Sequence, residues 1–199
     1  MPARRFQAIQ STREIGFEDI ARRFAVAGQY GRLRAAFEDQ IHRTGGFEIL
    51  DLGLIPTPAV SYLVKREGAN LGVVISASHN PPEYNGIKFF SAEGLKLSDA
   101  DEASVEKLLA SPDFSAPAAE PGIRRSDFSA DYEEFLLSTL PAGFSLKGVK
   151  VVLDCANGAA SELAPRIFKK LGAEIKVLGA SPDGTNINVG CGALETGPM

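Results

Sequence analysis

The chain has 199 residues, 44% of them hydrophobic and 23% charged, with a formal net charge of -4. That balance suits a soluble globular protein and gives no overall electrostatic case for a nucleic-acid or acidic-membrane partner. No apolar run approaches the roughly 18–20 residues that a membrane-spanning helix needs. The N-terminal Met1–Phe6 runs into polar residues instead of an apolar signal core, and Glu14, Glu18 and Asp19 argue against a transit peptide, so a cytoplasmic location is expected. Two cysteines, Cys155 and Cys191, have neither metal-ligand nor disulfide-framework spacing and read as reduced buried thiols.

Residues 1–46 hold eight arginines and weak periodicity. Helices over Phe17–Val26 and Leu33–His42 are predicted there. From Phe47 onward, strands and helices alternate. Residues 47–52 form a short alternating strand ending at Gly53. Thr57-Pro58 then starts a helix, with Thr57 as cap, Pro58 in the first turn and Ala59, Val60, Leu63 and Val64 as its apolar stripe. Gly68 stops it. Leu71–Ile75 is short, β-branched and bounded by turn residues, the pattern of a buried strand. A polar loop leads to a second strand, Gly86–Phe90. Asp99–Leu109 reads as a helix with acids in its first turn. Residues 111–129 are rich in Ser, Pro, Ala and Asp and read as a linker. A helix over Asp131–Leu140 ends before Pro141, and a boundary is placed near residues 141–147. The strand 147–154, a helix from about Ser161 to Leu171 and the strand Glu174–Leu178 begin a fresh α/β unit.

The chemistry is concentrated between the two central strands. Ser76-Ala77-Ser78-His79-Asn80-Pro81-Pro82 brings two hydroxyls and an imidazole to a strand tip, where ligands usually dock in α/β folds. The double proline stiffens the loop, and Asn85-Gly86 can take the positive φ of a tight turn. The residues alone leave open a plain polar turn with His79 bonded to backbone. Asp154 and Asn157, at a strand-to-loop junction, read as structural. The Asp183–Asn188 loop could serve a domain interface or a ligand.

Gly72–Phe90 resembles the phosphoserine loop of the α-D-phosphohexomutase superfamily. The wording Ser-Ala-Ser-His-Asn-Pro, followed by Asn-Gly-Ile-Lys-Phe-Phe, is similar to its phosphoglucosamine mutase branch. Leu54–Val60, Gly94–Ser98, Val151–Ala160, Asp183–Asn188 and Gly190–Gly192 agree with that branch in order. The resemblance implies an incomplete three-layer α/β/α domain I over 47–140, the start of a second α/β domain over 147–199, and a divergent segment over 1–46.

It further implies an isomerase interconverting glucosamine 6-phosphate and glucosamine 1-phosphate through a phosphoserine and a bisphosphate. Ser78 would carry the phosphoryl group, His79 would polarise it, and Lys88 would manage the proton of the attacking hydroxyl. Asn80, Asn85 and Gly86 would shape the loop. Mg²⁺ is the implied cofactor, with the Ser78 phosphate giving one oxygen. Hexosamine phosphates and bisphosphates are the implied partners. The superfamily's Asp-x-Asp-x-Asp loop, its specificity loop and its N-terminal Phe-Gly-Thr-Asp-Gly segment have no counterpart here, so a fragment with impaired activity is expected. A phosphomannomutase or phosphoglucomutase of the same superfamily, or a non-catalytic remnant, is the alternative reading.

Overall fold

In the computed structural model the described residues are 48–81, 84, 86–109, 122–125 and 127–197. The helices expected over 17–26 and 33–42 lie outside them. The chain divides into two compact units. Of the described residues, the first takes in those of 48–51, 60–75 and 87–125, and the second those of 52–59, 76–86 and 127–197.

Strand β1 (Glu48–Asp51) is followed by helix α1 (Thr57–Glu67), strands β2 (Leu71–Ser76) and β3 (Gly86–Ser91), helix α2 (Asp99–Leu109) and strand β4 (Gly122–Arg125). Helix α1 buries Val60, Leu63 and Val64 on one stripe, as the spacing predicts. Its end is a Schellman motif: Gly68 takes φ +64, its N–H reaches Lys65 O, and the N–H of Ala69 bonds Val64 O at 2.9 Å. Strands β2 and β3 pair with each other. Helix α1 lies so close to β2 that a β-carbon on Gly72 would stand 2.5 Å from Val64 Cγ2. Strand β3 then doubles back through a turn in which Gly94 N bonds Ser91 O and Leu97 N bonds Phe89 O. Ser98 caps α2, its Oγ accepting from Asp101 N at 3.2 Å.

The linker reading of 111–129 fails in two places, over 122–125 and at Phe128–Ser129, which begin a helix. Residues 122–125 form β4, parallel to β1 with Ile49 opposite Ile123. Gly-Ile-Arg-Arg has a single apolar residue and no strand pattern of its own. Pairing with a strand some seventy residues earlier makes it a strand, and local sequence does not encode that.

In the second unit, helix α3 (Phe128–Ser138) begins three residues earlier than expected because Asp127 is its N-cap, accepting from Ala130 N at 3.3 Å. Strand β5 (Lys150–Asp154), helix α4 (Leu163–Lys170) and strand β6 (Glu174–Leu178) follow. β5 and β6 are parallel, with Val151 opposite Ile175 and Asp154 opposite Leu178. A parallel pair needs a crossover, and α4 supplies it. Gly172, at φ +90, closes α4 with another Schellman motif, Ala173 N bonding Phe168 O at 3.1 Å. Phe128, Tyr132 and Leu163 are buried. Between α3 and α4 lies Glu133, only 2% exposed, paired with Lys170 Nζ and with Arg166 Nε at 2.7 Å. Lys170, and then Arg166, hold its carboxyl below the usual glutamate range against the opposing effect of burial.

Candidate functional site

Strand β2 ends at Ser76, and the backbone turns at once. Asn80 N bonds Ala77 O at 3.0 Å, closing a four-residue turn with Ser78 at its second position. Ser78 has φ +57, a left-handed value that ordinarily selects glycine and costs roughly 1–2 kcal/mol for other residues. Such strain persists only where surrounding bonds hold it, and it is concentrated at functional sites. Here the N–H of Ser78 donates to Ser76 Oγ at 3.0 Å. Ala77 is buried beneath the turn, while Ser78, His79 and Asn80 are exposed. A second turn follows, Tyr84 N to Pro81 O at 3.0 Å.

Gly86 opens β3 and is not among the glycines with positive φ; among the described residues of the loop, Ser78 is the left-handed one. Asn85 lies outside the described residues. Lys88 sits on β3, half-buried in the strand's exposure pattern.

What holds the turn comes from 110 residues downstream. The Nδ2 of Asn188 donates to Ser78 O and to Asn80 O, both at 2.9 Å. Two carbonyl acceptors require the amide's NH₂ end, which carries two donors. Asn188 is itself left-handed at φ +61, and its N–H bonds Ala156 O at 2.9 Å. Ala156 belongs to a left-handed pair with Asn157, φ +53 and +50. Asp154, at the end of β5, ties this corner together: Oδ1 accepts from Ala156 N at 2.9 Å, and Oδ2 from Gly192 N at 2.6 Å.

Asn157 completes the corner. Its Oδ1 accepts from Ser181 N at 3.0 Å and its Nδ2 donates to Asn186 O at 3.3 Å. Asp183 caps the intervening turn, accepting from Thr185 N, Thr185 Oγ1 and Asn186 N, and these bonds hold its carboxyl below the ordinary value. Asp154 and Asn157 thus serve as structural ties, as the sequence suggests, and the Asp183–Asn188 loop presents an amide to the Ser78 turn. Sequence reasoning missed Asn188, since only its place in the Asp-Gly-Thr-Asn-Ile-Asn block marked it.

Cys155 and Cys191 are free and buried, and burial followed by the nearby Asp154 carboxylate pushes both thiols up in pKa. Among the described residues, no group of three or more His, Cys, Asp and Glu could hold a metal ion. The groups beside Ser78 in its loop are hydroxyls, amides and the imidazole of His79, a poor set for Mg²⁺, which favours carboxylate and phosphate oxygens. Among the described residues, no helix is long and apolar enough to cross a membrane.

Residues 35–116 match the family described as phosphoglucomutase/phosphomannomutase, alpha/beta/alpha domain I. A phosphoglucosamine mutase of Ectopseudomonas mendocina is 51% identical over 152 residues, covering 75% of this chain and 34% of that protein. The chain carries a phosphohexomutase domain I. Another phosphoglucosamine mutase, from Polynucleobacter asymbioticus, is 52% identical over 150 residues, 74% of this chain and 34% of its own length. The chain therefore spans about a third of these curated relatives. A solved phosphoglucomutase/phosphomannomutase family protein from Burkholderia thailandensis matches with a TM-score of 0.66 and 25% identity, over 85% of this chain and 41% of that one. The α/β fold is that of the phosphohexomutases.

Proposed function

We propose that the chain is the phosphoserine-bearing part of a phosphoglucosamine mutase, with Ser78 as the phosphoryl carrier. The observation that carries the reading is the exposed Ser78, left-handed at a strand tip and held by a turn and a carboxamide. Phosphoryl transfer is mainly a matter of position and charge neutralisation, so a rigid loop presenting one hydroxyl suits it. The names of the relatives at about half identity favour glucosamine phosphate over the other hexose phosphates.

In the proposed step, Ser78 Oγ attacks a phosphorus of a hexosamine 1,6-bisphosphate. The Oγ–P bond forms, the P–O bond to the sugar breaks, and the released sugar oxygen takes up a proton as the serine hydroxyl loses one. His79 polarises the group in transit and Lys88 handles the proton. Asn80 and Gly86 set the shape of the loop, with Asn85. The reverse transfer, to the other end of the sugar, interconverts glucosamine 6-phosphate and glucosamine 1-phosphate. The resemblance implies Mg²⁺, with a Ser78 phosphate lending one oxygen. The described residues do not furnish the remaining ligands.

The test is intact mass after incubation with a hexose 1,6-bisphosphate. One added phosphoryl group is expected, absent in Ser78→Ala, and glucosamine 6-phosphate should discharge it faster than mannose 6-phosphate. Equal masses before and after incubation would remove the proposal. Equal discharge by both sugars would remove its glucosamine specificity.

A further inference from the structure

Asn188 stands outside the set of groups assigned to the reaction, yet it makes the two bonds that close over the strained turn. We propose that Asn188 is the positioning residue of the Ser78 loop, and that the corner Asp154–Ala156–Gly192 exists to aim it. The inference rests on the proposed phosphoryl-carrier role of Ser78.

The geometry supports a dedicated clamp more than an incidental contact. One carboxamide bridges the carbonyls of Ser78 and Asn80, which flank the turn on both sides of His79. The bond to Ser78 O fixes the peptide plane that follows Ser78, while Asn80 N on Ala77 O and Ser78 N on Ser76 Oγ fix the plane before it, and between these two planes Ser78 keeps φ +57. The clamp is held in its turn. Asn188 N is bonded to Ala156 O, and Ala156 N is bonded to Asp154. The other oxygen of Asp154 takes Gly192 N, whose φ of +87 lets the chain pass without a side chain. A β-carbon on Gly192 would come within 3.3 Å of Asn188 Oδ1 and 2.9 Å of Ala156 Cβ. The route from β5 to the serine therefore consists of short bonds to backbone, with no long flexible side chain in it. That is what a group held to within a fraction of an ångström requires.

Asn188→Gly tests this, because glycine keeps the left-handed backbone at that position while removing both donors. The variant should melt close to the wild type. Amide exchange in the segment 76–80 should quicken, with β5 and β6 unchanged. The rate of Ser78 loading from glucose 1,6-bisphosphate at saturation should fall about ten- to a hundredfold, with half-saturation moved by no more than about twofold. Asn188→Asp turns a carboxylate oxygen toward the two carbonyls and should slow loading at least as much. Wild-type exchange in 76–80 for both variants overturns the proposal, and so does an unchanged loading rate. Should the wild type itself take no phosphoryl group, the carrier role of Ser78 fails. The exchange measurement then decides the positioning role alone: quickened exchange upholds it, and unchanged exchange rejects it.

Discussion

Substituting alanine at Gly192 and, separately, at Gly190 divides the energetics of the corner behind the serine turn into two parts. Both glycines are left-handed, at φ +87 and +62. Gly190→Ala meets nothing within 4 Å, so it incurs only the backbone cost of a left-handed β-carbon, about 1 kcal/mol. Gly192→Ala incurs that cost as well and also drives a methyl to 2.9 Å from Ala156 Cβ. Ala156 cannot swing aside, since its N–H is held by Asp154 and its carbonyl by Asn188. Overpacking against pinned backbone adds about 2 kcal/mol. The expected losses are therefore about 1 kcal/mol for Gly190→Ala and about 3 for Gly192→Ala, read as urea midpoints at equal slope. A reading of the two sites as equal, within about 0.5 kcal/mol, refutes the claim that the corner is rigid. A loss at Gly192 that leaves exchange in 76–80 untouched refutes its connection to the Ser78 turn.

Ser78→Gly should raise stability by up to about 1 kcal/mol by relieving the left-handed strain, while abolishing phosphoryl loading. A loss of stability on denaturant unfolding would show that the residue is not strained. The Glu133 pair should behave asymmetrically. Removing the carboxylate leaves Arg166 and Lys170, 39% and 61% exposed, free to rehydrate, at a cost of about 1–2 kcal/mol. Replacing both cations by methionine strands a buried charge and should cost about 3 kcal/mol or more. Equal losses in thermal unfolding would contradict this. The carboxyl of Glu133 is lowered in the folded state, so its stabilising effect is present above the ordinary value of 4.5 and fades as pH falls through the lower folded value. Glu133→Gln should flatten the acid limb of stability against pH, and an unchanged limb counts against the pairing. Finally, Cys155 and Cys191 should alkylate at pH 8 at least about tenfold more slowly than in urea, because both are buried and raised in pKa. Equal rates would contradict their burial.

Local signals carried much of this structure into the sequence. The stripe of α1, its glycine stop, the acid-rich start of α2 and the β-branched runs of β2 and β5 are encoded by residues a few positions apart. The Ser78 loop was legible through its wording, and Ser78 is exposed in it. What the sequence did not disclose depends on distance. β4 exists through its partner β1, and the cap that starts α3 at Phe128 hid in a stretch with linker composition. Among the described residues of the loop the φ reversal fell on Ser78, a residue whose type argues against it, while Gly86 stayed out of the left-handed region. Asn188 acts across 110 residues, and no periodicity or spacing links it to the turn it holds.

The most direct measurement is to locate the phosphate by peptide fragmentation after incubating the full chain with a hexose 1,6-bisphosphate. We expect a single modified position, Ser78, with Ser76 two residues away unmodified. Phosphate on Ser76 or on a distant serine, or no phosphate at all, contradicts the account.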